Sequence, residues 1–383
     1  MRSILFLSVM MERGWGVSLE IGEIARRLRA KGIDVHVGAE RADASFDWLP
    51  VHNVAPTSEG VRALARSLKV TVIAAHTSPY FETLPELTDE FETWAWENGD
   101  PTPAFFEKDG RQRQLIQNFK RECVYPRVNR VVAISDFIKH DIGWPDATVV
   151  TLAADHMPDL GVKSSLDFGT SRDGTIRVGT LMRLGKGEAQ YKGNHLFLSL
   201  AEEVQKKGLP IAFHAAGRGT EEDAEQFCQR GIIPHLNLSD EEKTTYLRSL
   251  DIFVSMSLWE GFNLPVTEAQ ALGTFSLALD VGAHPEVCPY LLANPAEAIR
   301  YIERALKSPE WLEQASASCY HFIRDHFSWD QTAQAVAVLL KTPKRSLPSP
   351  AQTTLYRNVK NTLIPPARRI YRLMKRTFPA IGR

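Results

Sequence analysis

Two glutamates separated by seven residues, Glu260 and Glu268, bracket the run Gly261-Phe262-Asn263-Leu264-Pro265. An apolar β-type run, Ile252-Phe253-Val254, leads into it, and a helical pattern begins near Val266. A glycine loop entering a helix offers unpartnered backbone N–H groups and the positive end of the helix dipole, which suit an anion or a hydroxyl-rich ligand. Two carboxylates beside such a loop are acceptors for the paired hydroxyls of a sugar or ribose. Spacing alone is equally met by one solvated helix glutamate and one surface-loop glutamate.

Other residues of matching chemistry recur where apolar runs end. Arg183 and Lys192 flank the glycine-bearing stretch LGKGEAQYKG before a helical pattern that starts at Asn194. Two cations beside a helix start suit a diphosphate, and they also suit plain solvated charge; Lys186-Gly187 in the same stretch rivals Lys192-Gly193. Gly217-Arg218-Gly219 and Gly14-Trp15-Gly16 are short loops through which backbone approaches a ligand or simply turns. The second is not a dinucleotide fingerprint, because Leu19 stands where the third glycine would fall. His76 follows the buried-strand run VTVIAA, either as a functional side chain or as a satisfied structural one. Trp94, Trp96 and Asp100 sit in the aromatic, acidic, turn-rich stretch WAWENGDPTP, which reads as an exposed acceptor loop with indoles for sugar faces or as a packed surface loop. No D-x-D triplet occurs, and Cys123, Cys228, Cys288 and Cys319 lack ligand-like spacing, so no metal site is expected.

The elements that must position these groups alternate. Ile4 to Val9 reads as a strand, Val17 to Lys31 as a helix with Val17, Ile21, Ile24 and Leu28 on one face, and Val35-His36-Val37 as the next strand. That βαβ order implies a parallel sheet with ligand at the strand C-terminal ends. Strands are expected again at 70–75, 131–134 and 148–152, with Ser135 as an N-cap, and a second βα series opens at Ile176. Residues 156–175 read as the connection between the two series.

The longer run EGFxLPxxEAxAxG resembles the donor-binding element of retaining GT-B-fold glycosyltransferases of family 4 (glycosyltransferase group 1). The resemblance implies an α/β fold of two Rossmann-like domains facing across a cleft, with a C-terminal helix crossing back to the N-terminal domain. Its boundaries would be 1–158 for an acceptor domain, 159–175 for the linker, 176–328 for a nucleotide-sugar domain, 329–342 for the crossing helix and 343–383 for a basic tail. It implies a retaining transfer from a nucleotide-diphosphate sugar, a co-substrate rather than a cofactor, to a saccharide or lipid-linked acceptor. Arg183 and Lys192 would then hold the diphosphate without a metal. Glu260 and His76 would face the donor sugar, Glu268 the ribose, and Gly14, Gly16, Gly217, Gly261, Phe262, Asn263 and Leu264 would line the donor site. A GT-B-fold nucleotide-sugar epimerase and a catalytically silent, membrane-docked binding subunit are the competing readings.

With 383 residues, 44% hydrophobic and 24% charged, the chain has room for two soluble domains. Its apolar N-terminus is short and broken by Glu12-Arg13, so it reads as a first strand rather than a leader. The formal charge of −1 conceals an asymmetry: 11 of the 45 Lys/Arg lie from Lys341 onward with no Asp or Glu among them, against all 46 acids before. Residues 351–383, with Ile370, Leu373, Met374 and Phe378 among cations, read as a helix for an anionic membrane surface. The expectation is a cytoplasmic protein, peripheral on the membrane's inner face, with no nucleic-acid partner.

Overall fold

The computed structural model describes residues 2–43, 49–106, 110–185 and 190–347. Thirteen strands among them form two wholly parallel sheets, one after the other in the chain. The first comprises β1 (Ser3–Met11), β2 (Asp34–Ala42), β3 (Val51–Asn53), β4 (Val72–Ala75), β5 (Glu92–Glu97), β6 (Arg130–Ala133) and β7 (Thr148–Val149), in the order β3-β2-β1-β4-β5-β6-β7. The second comprises β8 (Ile176–Leu181), β9 (Ile211–Gly217), β10 (Ile232–Leu236), β11 (Ile252–Ser255), β12 (Phe275–Leu279) and β13 (Leu291–Leu292), in the order β10-β9-β8-β11-β12-β13. In both, the order reverses beside the first strand, which opens a crevice at the carboxyl ends of the strands.

The central strands are continuous apolar runs because helices cover both faces of a parallel sheet. Ile4 to Leu7 of β1 and all of β4 are buried, and the first helix, Gly16–Ala30, lays Ile21, Ile24, Ala25 and Leu28 against them. In the second sheet Phe197, from the helix Asn194–Lys206, meets Phe213 of β9 edge to face at 5.9 Å.

One expectation fails. The stretch read as an exposed aromatic loop begins as β5, a central strand whose six residues are all buried; Trp94 and Trp96 are 0% exposed. Aromatic and β-branched side chains favour a pleated, enclosed surface, and the glutamates that suggested solvent are satisfied internally. Glu92 pairs with Arg2 and Arg130, each at 2.9 Å, and Glu97 accepts from Lys120 Nζ at 3.1 Å and Tyr125 Oη at 2.8 Å.

The segment between the sheets is packed: Phe168 is fully buried, and buried Lys163 donates to the Leu250 carbonyl and to Thr274 Oγ1. The last described helix, Trp329–Leu339, returns to the first sheet, as expected. Ser328 caps it through Asp330 N–H, and Trp329, Ala333 and Val336 bury with the first helix in the N-terminal core. Beyond it Arg345 donates to the carbonyls of Tyr125 and Val128, while Arg130 donates to those of Thr342 and Pro343. The basic segment 351–383 and the rival pair Lys186-Gly187 lie outside the described residues.

Trp329→Ala removes a fully buried indole that joins the crossing helix to the first sheet. A loss of about 3–5 kcal/mol is expected, read as a lower urea midpoint.

Candidate functional site

The carboxyl ends of the two sheets face each other, and contacts across the gap define the site. The loop after β9 meets the loop after β1: Arg218 pairs with Glu12 at 2.6 Å and donates to the Arg13 carbonyl, beside Gly14. The helix after β11 comes near the first helix, where a Cβ at Gly16 would sit 3.4 Å from Leu264 Cδ1. Ser135 Oγ, at the end of β6, donates to the Gly261 carbonyl at 2.7 Å. Glu286 accepts the N–H groups of Asp136 and Phe137 at 2.9 and 2.7 Å, so one sheet's loop caps the other sheet's helix.

At Gly261 the two backbones approach closely. A Cβ there would lie 2.5 Å from the carbonyl oxygen of Asn98, the residue after β5, so this position tolerates no side chain. Asn263 begins the helix Leu264–Ala271 in the left-handed region at φ 72°, which asparagine accepts more readily than other side chains. Its Nδ2 donates to Ser255 Oγ at 2.9 Å and to His284 Nε2 at 2.7 Å, while His284 Nδ1 donates to the Leu279 carbonyl. The Glu260–Glu268 loop is thus braced from β11 and from the turn after β12. Phe262, expected among the donor contacts, turns inward instead. It is buried and packs edge to face on Phe327 at 5.8 Å, so only its backbone faces the loop. Asn263 likewise spends its side chain on the brace.

Glu260 is 8% exposed and forms a 2.7 Å ion pair with Lys192 Nζ. Burial opposes the charge on Lys192, but the Glu260 carboxylate outweighs it and the net shift is upward; Arg183, near enough to repel, works the other way. Arg183 is exposed, and its carbonyl accepts from Asn194 Nδ2 at 3.0 Å. Gly193 has φ 71° at the N-cap, and a Cβ there would fall 1.8 Å from the Met256 carbonyl oxygen, so only glycine brings Lys192 this close to the 255–261 loop. Gly217 likewise lies against the Met182 carbonyl beneath the same edge. Lys192, Arg183 and Glu260 therefore form one cluster, with Glu260 in the loop that leads into the 264–271 helix.

Glu268 lies behind it, 3% exposed, with its Oε1 accepting from His156 Nε2 at 3.0 Å and Lys243 Nζ at 2.9 Å. Burial alone would raise this carboxyl, yet the Lys243 ammonium and His156 hold it at about 2. Neither partner stood out in the sequence, since one lies in the connecting segment and the other on a helix of surface character. Their separations from Glu268, 112 and 25 residues, form no motif.

His76 ends β4 on the same edge but is 3% exposed, with neither ring nitrogen meeting a partner at hydrogen-bond geometry, and burial lowers its pKa to about 3. Of the three acceptor residues expected, Trp94 and Trp96 are core side chains, and Asp100 is tied to Lys120 Nζ at 2.8 Å. The ammonium that also serves buried Glu97 needs that second carboxylate, so these residues hold the sheet rather than a ligand. The aromatic surface at the cleft lies a few residues on. Phe105 and Phe106 approach Tyr191 of the opposite half, with ring centroids 6.4 and 5.9 Å apart, and Lys192 Nζ sits 5.0 Å from the Tyr191 ring. All three are half-buried. Among the described residues no group of His, Cys, Asp and Glu is placed to hold a metal ion.

The pH dependence of Glu268 follows from its depressed pKa. Its contribution is complete above the ordinary carboxyl value of 4.5 and is lost as pH falls toward about 2. The gap in unfolding temperature between wild type and Glu268→Gln should therefore hold from pH 7 to 5 in thermal melts, then narrow below about pH 4.5.

Comparison with known proteins agrees with this geometry. Residues 178–308 match the family model described as Glycosyl transferases group 1. A curated relative, the MMP alpha-(1->4)-mannosyltransferase of Mycolicibacterium hassiacum, is 30% identical over 204 residues, covering 50% of this chain and 49% of that protein. The match thus spans about half the relative's length. Among solved structures, sucrose-phosphate synthase from Thermosynechococcus elongatus superposes with a TM-score of 0.70 at 14% identity, over 89% of this chain and 98% of the other. Anabaena Alr3699/HepE in complex with UDP and glucose does so with a TM-score of 0.70 at 16% identity, over 89% and 100%. Residues 178–308 are thus similar to the glycosyl transferases group 1 family, within a chain that has the GT-B fold.

Proposed function

We propose that this chain transfers a glycosyl unit from a nucleotide-diphosphate sugar to an acceptor hydroxyl, with retention at the anomeric carbon and without a metal. The observation that carries the reading is the Lys192–Glu260 pair, 2.7 Å long, set beside Arg183, with Glu260 in the loop that leads into the 264–271 helix. A diphosphate leaving group needs fixed positive charge where its negative charge develops, and a donor sugar needs acceptors for its hydroxyls. Lys192 can neutralise one partner while its neighbour Glu260 orients the other. The similarity of residues 178–308 to group 1 transferases supports the same assignment, as does the glucose and UDP bound by the Anabaena neighbour.

In this reading Glu268 accepts the ribose hydroxyls and His76 faces the donor sugar. As the glycosidic bond to the diphosphate breaks, its electron pair goes to the leaving phosphate oxygen. The acceptor hydroxyl enters on the same face, its oxygen bonds to the anomeric carbon, and its proton passes to that phosphate. Arg183 and Lys192 hold the departing charge. The lack of a D-x-D triplet leaves this task to protein cations. The half-buried rings of Phe105, Phe106 and Tyr191 suit the apolar face of a saccharide acceptor.

The basic segment 351–383 is read here as the membrane-binding part of the protein, bringing the cleft to a lipid-linked acceptor. Its root is fastened to the first sheet by Arg345 and Arg130. No described helix is long and apolar enough to cross a membrane.

A panel of nucleotide sugars with nucleoside diphosphate release as readout tests the main claim. Release that continues in EDTA is expected; epimerised donor without release, or no turnover of any donor, would refute it. With the active donor, Lys192→Ala should lower kcat/KM by about 10²–10³-fold. Tyr191→Ala and Phe106→Ala should raise the acceptor KM and leave donor Kd unchanged. For the tail, full-length protein should pellet with anionic vesicles at low salt while a chain ending at Pro350 stays in solution; equal behaviour would sink the membrane role.

A further inference from the structure

Beneath the 260–262 loop the first sheet buries polar side chains where hydrocarbon would pack as well. Glu20, on the inward face of the first helix, is fully buried. Its Oε1 accepts from Trp96 Nε1 at 2.6 Å and its Oε2 from Asn98 Nδ2 at 2.5 Å. Asn98 is the residue whose carbonyl abuts Gly261. His76 lies flat on Trp96, with ring centroids 4.8 Å apart at 22°, and Phe6 of β1 meets its ring at an edge. The His76 Nδ1 atom is 3.8 Å from Glu20 Oε1, and neither ring nitrogen meets a partner at hydrogen-bond geometry, although the Asn98 side chain is near enough to favour the charged ring against its burial. Asn98 Oδ1 meets none either.

Burying a carboxyl and an imidazole side by side costs several kcal/mol unless their hydrogen bonds are made, so the pair calls for an explanation beyond packing. Of the groups that face Glu20 from β1, β4 and β5, His76 is the one that titrates; the others are Phe6, the Trp96 indole and the Asn98 amide. Both donors, Trp96 on β5 and Asn98 just after it, point at the carboxyl and hold it in place. The His76 ring is held too, between an indole face and a phenyl edge. A neutral imidazole carries one proton, and the partner of one nitrogen decides the role of the other. Closing the 3.8 Å gap takes a shift of about 0.8–1 Å, and catalytic hydrogen bonds are often long outside the reacting complex.

We infer that Glu20 is a positioning residue for His76: its carboxyl is the acceptor toward which Nδ1–H donates, which keeps the proton on Nδ1 and leaves Nε2 as the acceptor for a hydroxyl of the sugar in the cleft. The sugar in that statement rests on the glycosyl-transfer reading; the relation between Glu20 and His76 does not.

The test reads the imidazole directly. Full-length protein labelled with ¹⁵N-histidine gives a pair of ring-nitrogen resonances for His76, assigned as the pair lost in His76→Asn. At pH 8 the wild type is expected to show a protonated Nδ1 and an unprotonated Nε2. Glu20→Gln should shift His76 toward the Nε2–H form, because one of the two accepting oxygens becomes an NH2 group that faces a donor and the ring loses its carboxylate. A wild-type His76 protonated on Nε2 overturns the inference by itself, even where the variant does not fold. An unchanged tautomer in folded Glu20→Gln does the same. On the donor found active, Glu20→Gln should lower kcat/KM by about 10–100-fold, the range for losing an outer partner that orients a ring. The double variant with His76→Asn should be no slower than His76→Asn alone; multiplied losses would mean that Glu20 does not act through His76. If no nucleotide sugar is turned over, the functional reading fails while the tautomer result still decides the pairing.

Discussion

Glu268 is a carboxylate almost without water, and it keeps its charge because Lys243 and His156 supply two hydrogen bonds and an ammonium. An unpaired charge at such depth would cost several kcal/mol, so the three side chains are placed together or not at all. The consequence runs outward through His156. Its Nε2 proton is committed to Glu268, so its Nδ1 is an acceptor, and the Trp329 indole N–H donates to it at 3.1 Å. Trp329 opens the helix that returns to the first sheet. The group proposed to bind the ribose is therefore hydrogen-bonded to the joint between the two halves of the molecule.

The halves meet through backbone as much as through side chains. Gly261 against Asn98 and Gly193 against Met256 are approaches that any Cβ would block. They bring Lys192 to Glu260 and bring the Glu260 loop down onto the Glu20–His76 cluster. Ser135 and Glu286 make hydrogen bonds across the same seam. Rigid loops at the carboxyl ends of two sheets can hold opposing charges at fixed separation, which preorganised stabilisation of a leaving diphosphate requires.

The division between structural and ligand-facing aromatics also has a simple cause. Trp94 and Trp96 are on a central strand of a parallel sheet whose two faces are covered by helices, so the indoles fill the core. Phe105 and Phe106 come after β5 has ended, where the chain leaves the sheet and crosses toward Tyr191. Asp100 sits between these regimes, at the strand's exit, and the buried ammonium of Lys120 claims it.

The parallel α/β architecture was legible in the sequence, because apolar runs ending in glycine loops and followed by 3.6-period helices leave few alternatives to βαβ units. The loop of Glu260 and Glu268, the Lys192-Gly193 turn and the returning helix after Phe327-Ser328-Trp329 were also legible, since each is local in the chain. Partners were not. His156 and Lys243 for Glu268, Glu20 for His76 and Glu286 for the 135–137 turn are joined across 25 to 150 residues, and no local pattern encodes a contact of that range. Burial was misjudged at Trp94 and Trp96 for a related reason. Composition reports that a side chain is amphipathic, while strand order decides whether it meets water. The types of chemistry were set by residues and spacing; which residue faces which was decided by two sheets closing edge to edge, because hydrogen bonds and charge pairs are made through space.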